Sequence, residues 1–165
     1  KYPHHSIIDI RGNVPTRLKK LETLGCQGSI MAIAGLLRLE ILPKQHTILD
    51  WMVPAPAQGA LLVTTLESNK ELTNKLFPLN HNETAICVTQ ERIFLRELEG
   101  GCTAPIGAVA KIEGNQIHFV GNITQSNGKQ QLSFNQCAPT AKANDIGSTA
   151  AKDLLSRGAK TLING

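Results

Sequence analysis

The sequence has 165 residues, of which 41% are hydrophobic and 18% charged, with 14 Gly and 8 Pro. This composition can form the core of one medium-sized domain or two small ones, and it excludes a membrane-spanning helix, a collagen-like fibre and a wholly disordered chain. Only 4% of the residues are aromatic, which argues against a stacking surface for single-stranded nucleic acid. We therefore expect neither a nucleic acid nor a membrane as a partner.

The net charge of +4 is concentrated near the start of the chain. Residues 1–45 carry seven basic and three acidic side chains, whereas the remaining residues carry ten of each sign. Such a local excess indicates a local anion-binding site more than a coat for DNA. A solvated basic face is the alternative.

The four cysteines, at positions 26, 87, 102 and 137, form no Cys-x-x-Cys pair and have no histidine at metal-ligand spacing. We expect no metal site and no compact disulfide framework, and reduced thiols indicate a cytoplasmic protein. The start of the chain has no signal-peptide pattern and no initiator Met, so we expect it to begin inside a longer gene product.

The first part of the chain predicts a strand, a helix and a second strand in that order. A short strand is expected at residues 6–10, a helix capped by Asn13 at 14–24, and a continuous apolar strand at 29–34. This order predicts parallel strands. A short helix at 36–42, a strand at 60–66 and a helix at 69–77 follow.

The later part of the chain predicts antiparallel structure. A long helix is expected from residue 82 to about 98, followed by strands at 106–112, 116–124 and 130–136. A helix at 145–157 closes this part, and residues 160–163 are predicted to add an edge strand. The predicted fold class is α/β (α+β overall), with a parallel α/β domain followed by a βββα domain.

Three arginines are predicted to lie on one rim of the parallel sheet. Arg11 follows the first strand, Arg17 lies in the opening turns of the next helix, and Arg38 lies in the opening turn of the helix after the second strand. Strand ends and helix starts share one edge of such a sheet, and guanidinium groups pair with carboxylate or phosphate. This arrangement predicts a pocket for a polyanionic small molecule. The alternative is a set of salt bridges to nearby acids, namely Asp9, Glu22 and Glu40.

Two glycines place Cys102 on a loop between the long helix and the next strand. A thiol presented in this way can serve as a covalent anchor or a nucleophile. The alternative is a small residue buried in a tight turn. His81 begins the long helix, where capping is favoured over a role as general base for Cys102.

Six short blocks of sequence resemble the porphobilinogen deaminase (hydroxymethylbilane synthase) family. They are IRGNVPTRL at residues 10–18, AGLLRL at 34–39, PAPAQGA at 54–60, NHNET at 80–84, ER at 91–92, and LEGGC with PIG within 98–107. The blocks occur in the family's order and cover nearly the whole chain.

The resemblance implies a transferase of tetrapyrrole and haem biosynthesis. Such an enzyme condenses four porphobilinogen molecules head to tail, with loss of ammonia, on a dipyrromethane primer and hydrolyses the product to hydroxymethylbilane. Cys102 would carry the dipyrromethane cofactor covalently. Arg11, Arg17 and Arg38 would bind the acetate and propionate groups of the cofactor and of the substrate. The resemblance implies no metal.

The resemblance also implies a division of the chain. Residues 1–55 would be the second half of the family's domain 2, with a partial fold like that of periplasmic binding proteins. Residues 56–79 would cross back to domain 1, and residues 80–165 would form domain 3 with the cofactor cysteine.

The family's catalytic aspartate has no counterpart in these residues, so no catalytic residue is assigned and this chain alone is predicted to be inactive. Residues 1–79 are expected to expose sheet edges and apolar surface, and to be completed by another chain or less ordered than residues 80–165. The full-length enzyme is expected to be a monomer.

Two other hypotheses remain at this point. One is a non-catalytic module that binds polyanions or a partner through the arginines. The other is a cysteine hydrolase that uses Cys102 and His81.

Overall fold

The computed structural model describes residue 2, residues 4–99 and residues 104–164. The chain divides into two compact units, Lys1–Leu49 and Asp50–Gly165. None of the helices in the described ranges combines the length and apolar character needed to cross a bilayer.

The first unit contains two helices, α1 (Val14–Thr23) and α2 (Ile33–Arg38). The Asn13 side chain accepts a hydrogen bond from the Thr16 backbone N–H at 2.9 Å and so caps α1. Pro15 lies in the first turn, where a missing N–H removes no helical hydrogen bond. The prediction of a helix at 14–24 is confirmed.

The strands predicted at 6–10, 29–34 and 60–66 are not formed in the described residues. A parallel strand exists only by exchanging backbone hydrogen bonds with a neighbour, and no described segment pairs with these three. Their apolar side chains stay exposed, as at Ile7 (93%), Ile30 (67%) and Leu61 (84%). The parallel, periplasmic-binding-protein-like part of the predicted fold is therefore not formed in the described residues. The expected apolar exposure of residues 1–79 is confirmed.

The second unit begins with α3 (Lys70–Leu76), whose first turn is capped by the Asn69 side chain. Short 3₁₀ turns occupy Phe77–Leu79 and Thr140–Asp145. The remaining elements are α4 (Asn82–Glu97), β1 (Ile106–Glu113), β2 (Gln116–Thr124), β3 (Gln131–Pro139), α5 (Ile146–Ser156) and α6 (Ala159–Asn164).

The three strands form an antiparallel sheet in the order β1-β2-β3. Side chains alternate between the two faces of a strand, and Ile117, Phe119 and Ile123 of β2 all point into the core. The predicted antiparallel part, with a helix following three strands, is confirmed.

Helices α4 and α5 cover the inner face of this sheet. The rings of Phe94 on α4 and Phe119 on β2 are fully buried, with centroids 5.5 Å apart and planes at 68°. Such an edge-to-face arrangement is favourable for aromatic pairs. The core of the second unit therefore lies between the sheet and these helices.

The predicted edge strand at 160–163 is wrong, because these residues belong to α6. Gly158 has a φ of +91°, which glycine tolerates and which lets the chain turn after α5. Ala159 and Leu162 are both buried and lie three residues apart, the spacing of one helix face. Packing of this face on the core favours a helix over an edge strand.

Candidate functional site

Arg11 and Arg17 lie close to the start of α1. Arg11 is exposed and precedes the cap residue by two positions, and Arg17 is half-buried in the opening turns, as predicted. The Lys20 ammonium donates a hydrogen bond to the Arg11 carbonyl oxygen at 3.0 Å, which holds residue 11 beside the helix.

Arg38 lies at the other end of its helix from the predicted position. It is the last residue of α2, because this helix begins at Ile33 and not at residue 36. Without paired strands, Ile33 and Ala34 join the helix. The predicted rim of strand ends is therefore not formed in the described residues, and the assignment of the three arginines to one ligand stays a prediction.

The guanidinium groups of Arg11, Arg17 and Arg38 form no ion pair with any carboxylate of the described residues. The Arg17 Nε atom is moreover buried without a hydrogen-bond partner in the part of the chain that the structure describes. Leaving a buried N–H unpaired costs about 1–3 kcal/mol. This arrangement disfavours the salt-bridge alternative and suits an external acceptor such as a carboxylate.

Cys102 lies outside the described residues. On one side of it, Leu98 is buried in the core, and on the other side Ala104 packs against the same core. The Thr124 N–H donates to the Pro105 carbonyl oxygen at 2.9 Å, which ties the second side to the sheet. The chain is thus anchored to one core on both sides of the Gly-Gly-Cys motif.

His81 is the N-cap of α4, and its Nδ1 accepts a hydrogen bond from the Thr84 N–H at 3.3 Å. The predicted capping role is confirmed. Helix α4 has 16 residues and is about 24 Å long, and His81 lies at its start. The cysteine hydrolase hypothesis also needs Cys102, which lies outside the described residues, and it stays a prediction.

A cavity of about 420 Å³ lies within the second unit, between residues 57–60, the first half of α4 and the end of β1. Its ionisable lining groups are His81, Glu83, Cys87, Glu91, Lys111 and Glu113. No single sequence motif marks this cavity, because its walls come from three separate parts of the chain.

The Glu91 side chain joins the walls of this cavity by hydrogen bonds. This residue is 7% exposed; Oε2 accepts the Ala57 N–H at 2.6 Å and Oε1 accepts the Ala110 N–H at 2.8 Å. Burial raises the pKa of Glu91, and the two backbone hydrogen bonds partly oppose this rise. The Ala108 N–H also donates to the Pro54 carbonyl oxygen at 2.9 Å, so the Pro-rich loop is held against α4 and β1.

In the sequence, Glu91 stands out only as part of the short motif ER at residues 91–92. A signal was present, because Glu91 lies four residues after Cys87 and three before Phe94, and both of these are buried on α4. A carboxylate on the buried face of a helix requires hydrogen-bond donors from elsewhere in the fold.

Cys87 is unsuited to nucleophilic chemistry. Burial raises the pKa of its thiol, and the negative charge of Glu91 raises it further. The thiol therefore stays protonated near neutral pH, and the burial of Cys87 on α4 gives it a packing role. Within the described residues, no group of three or more His, Cys, Asp or Glu side chains could hold a metal ion.

Two family models match the chain in succession. Residues 1–74 match "Porphobilinogen deaminase, dipyromethane cofactor binding domain", and residues 85–156 match "Porphobilinogen deaminase, C-terminal domain".

Curated relatives agree with these matches. The chain is 38% identical to the porphobilinogen deaminase of Listeria monocytogenes serotype 4a, over 98% of this chain and 53% of that protein. It is 37% identical to the enzyme of Alkaliphilus metalliredigens, over 95% and 50%, and 36% identical to that of a Synechococcus strain, over 98% and 52%. The chain spans about half the length of these relatives. It belongs to the porphobilinogen deaminase family and corresponds to the C-terminal portion of its members.

Proposed function

We propose that this chain forms the cofactor-carrying portion of a hydroxymethylbilane synthase. The reaction is the head-to-tail condensation of four porphobilinogen molecules with loss of ammonia, followed by hydrolysis to hydroxymethylbilane. The observation that carries the proposal is the succession of two family models, the first of which is described as cofactor-binding. A cytoplasmic location, where thiols stay reduced, is part of the proposal.

The donor set of the chain suits a dipyrromethane cofactor. Each pyrrole ring carries two carboxylates, and the buried Arg17 Nε lacks a partner within the described ranges. We assign Cys102 to the thioether link, and Arg11, Arg17 and Arg38 to the acetate and propionate groups of cofactor and substrate. When bound, the cofactor supplies a fixed primer to which pyrrole units are added.

The arginines would act mainly by orientation. A guanidinium group binds a carboxylate through two parallel hydrogen bonds, which sets the direction of the attached ring as well as its position. Holding the reactants in this way lowers the entropic part of the barrier to condensation. The half-buried Arg17 would bind more strongly than the exposed Arg11, because it is less screened by water.

The proposed domain division follows the family. Residues 1–55 would belong to domain 2, residues 56–79 would cross to domain 1, and residues 80–165 would form domain 3. The boundary between the two compact units, after Leu49, lies close to the first of these limits and supports it. Because the family's catalytic aspartate has no counterpart in these residues, we expect the chain by itself to be inactive.

Complementation tests the proposal. The chain is expressed alone and together with the N-terminal half of the Listeria relative, and porphobilinogen consumption and intact mass under reducing conditions are measured. We expect no consumption by the chain alone. The pair should consume porphobilinogen and show a mass increment of two linked pyrrole units on this chain.

Variants separate the roles of the residues. Cys102→Ser should remove the mass increment, and Arg17→Gln should lower consumption far more than His46→Ala, a change at an exposed histidine on the same unit. A folded pair that gains neither the increment nor activity would overturn the proposal and favour a non-catalytic polyanion-binding module.

A further inference from the structure

The cavity of the second unit is lined by a buried carboxylate. Glu91 is 7% exposed and forms no ion pair within the described residues. The N–H groups of Ala57 and Ala110 each donate to one of its oxygens, and each oxygen has a second acceptor position. Buried charges in proteins are usually paired with an opposite charge as well as hydrogen-bonded. Glu91 is therefore placed to accept a cationic partner.

The described groups around this cavity are acidic on balance. Residues 57–60 carry no ionisable side chain. The ionisable side chains that face the cavity from α4, its N-cap and β1 are His81, Glu83, Cys87, Glu91, Lys111 and Glu113. Three of them are carboxylates, and one is an ammonium group that is exposed and forms no ion pair in the described ranges. Such a balance attracts a cation and disfavours an anion.

The loop that forms one wall of the cavity continues into an exposed apolar segment. Residues 57–60 line the cavity, and Leu61, Leu62 and Val63 follow them with exposures of 84%, 75% and 64%. Contiguous exposed apolar side chains mark a surface that another polypeptide covers. The chain spans about half the length of its relatives and corresponds to their C-terminal portion. The N-terminal half of the family's fold is thus a suitable polypeptide to lie beside the cavity.

We propose that the cavity receives a cationic side chain, arginine or lysine, from the N-terminal half of the family's fold. Its positive group pairs with the Glu91 carboxylate, and apolar side chains of the same half cover residues 61–63. Since Glu91 also binds the N–H groups of Ala57 and Ala110, the ion pair joins the N-terminal half to the loop and to the sheet at one point. An arginine would use the second acceptor positions of both oxygens through two parallel hydrogen bonds.

This inference concerns the assembly of the two halves and goes beyond the proposed reaction. It uses Glu91 and residues 57–63, and it needs neither Cys102 nor the three arginines assigned to the cofactor. The pairing of the halves is measured without substrate, so its outcome does not depend on the proposed condensation of pyrroles.

A titration of the Glu91 carboxyl group by NMR tests the inference without any substitution in the protein that is measured. The chain, isotope-labelled at its glutamate carboxyl carbons, is titrated between about pH 4 and pH 8, alone and with the N-terminal half of the Listeria relative. The spectrum of Glu91→Gln identifies the signal. Burial raises the pKa of Glu91 in the isolated chain.

We expect the midpoint of this titration to fall when the N-terminal half binds, because a neighbouring cation favours the charged carboxylate. Coverage by apolar or neutral side chains alone would raise the midpoint or leave it in place. Either of these results would overturn the inference.

The affinity between the two halves, measured by calorimetry at neutral pH, provides a second test. Glu91→Gln should weaken binding by about 30-fold or more, because it leaves the buried cation without its counter-charge. Glu83→Gln makes the same chemical change at an exposed lining position of α4 and should weaken binding by less than about threefold. Equal affinities of Glu91→Gln and Glu83→Gln would contradict the proposed ion pair.

Substitutions in the N-terminal half identify the cationic partner. Each of its arginines and lysines is replaced by glutamine in turn, and binding is measured to the parent chain and to Glu91→Gln. One replacement should weaken binding to the parent chain but have little further effect on binding to Glu91→Gln. The inference is overturned if no replacement shows this coupling, or if methylguanidinium alone lowers the Glu91 midpoint as far as the N-terminal half does.

Discussion

A single buried carboxylate holds together three segments of the second unit. Glu91 on α4 accepts hydrogen bonds from Ala57 in the Pro-rich loop and from Ala110 in β1. Both donors are backbone N–H groups, so no other side chain completes the arrangement. A group with two acceptor oxygens is needed at this position, and only Asp or Glu provides it.

Glu91→Gln should destabilise the fold. Glutamine offers one acceptor oxygen to two N–H donors, so one buried N–H is left unpaired at a cost of about 1–3 kcal/mol. Urea unfolding at pH 8 measures the change. Glu83→Gln, an exposed change on the same helix, should alter the free energy of unfolding by less than about 0.5 kcal/mol. Equal effects of the two substitutions would contradict the role of Glu91.

The raised pKa of the Glu91 carboxyl group leads us to expect that the stability of the fold depends on pH. Burial raises the pKa of Glu91 above its ordinary value of 4.5, so the folded protein binds this proton more tightly than the unfolded chain does. The contribution of this group to the free energy of unfolding therefore falls as the pH rises from about 4.5 through the raised pKa, and is constant above it.

Urea titrations of the parent protein and Glu91→Gln between pH 4 and pH 8 test this sign. The stability of the parent protein minus that of the variant should be largest at the acidic end and fall to a plateau. A difference that grows with pH would show that the pKa is lowered and not raised.

At the level of elements, the contact between α4 and α5 depends on one small residue. Gly147 on α5 donates its N–H to Oε1 of Gln90 on α4 at 3.1 Å. Because glycine has no Cβ atom, the two helices can approach closely at this point. A Cβ atom at position 147 would overlap the carbonyl oxygen of Gln90. Backbone atoms cannot move aside as a flexible side chain can, so the helices would have to separate.

Gly147→Ala should therefore destabilise the protein by about 1–3 kcal/mol, although alanine favours helix by up to about 1 kcal/mol. Thr149→Ala, an exposed change on the same helix, supplies the effect of helix propensity without the clash. Thermal unfolding compares the two. A Gly147→Ala protein as stable as Thr149→Ala would show that the contact is not close.

At the level of the whole molecule, the two units differ in how much apolar surface they bury. Among the described residues of the first unit, Leu36 is the one hydrophobic side chain classed as buried. The second unit has a continuous core that includes Phe94, Phe119 and Leu154. Local stability follows buried apolar contacts, so the units should open at different rates.

Hydrogen exchange of the isolated chain should be fast in residues 4–49 and slow in residues 82–99 and 104–163. Adding the N-terminal half of a relative should protect residues 4–79, because their exposed apolar side chains then gain partners. Mass spectrometry of peptides resolves the two regions. Equally slow exchange in both regions of the isolated chain would contradict this prediction.

The antiparallel part of the fold was predictable because its signals are local. The turn residues Gly114-Asn115 and Asn127-Gly128 marked the two hairpins, and Asn13 marked the start of α1. The fold of residues 1–49 and the place of Arg38 were not predictable in this way, since a strand also requires a partner. Glu91 escaped notice because its donors lie 34 and 19 residues away.

The order of amino acids by itself determined the family, the start of α1 and the antiparallel meander, because motifs, caps and turn residues act over a few neighbouring residues. The tertiary structure decided that Gln90 and Glu91 are buried and that Gly147 lies against the carbonyl oxygen of Gln90. These properties depend on which distant segments meet, and that is settled only when the packed core brings them together.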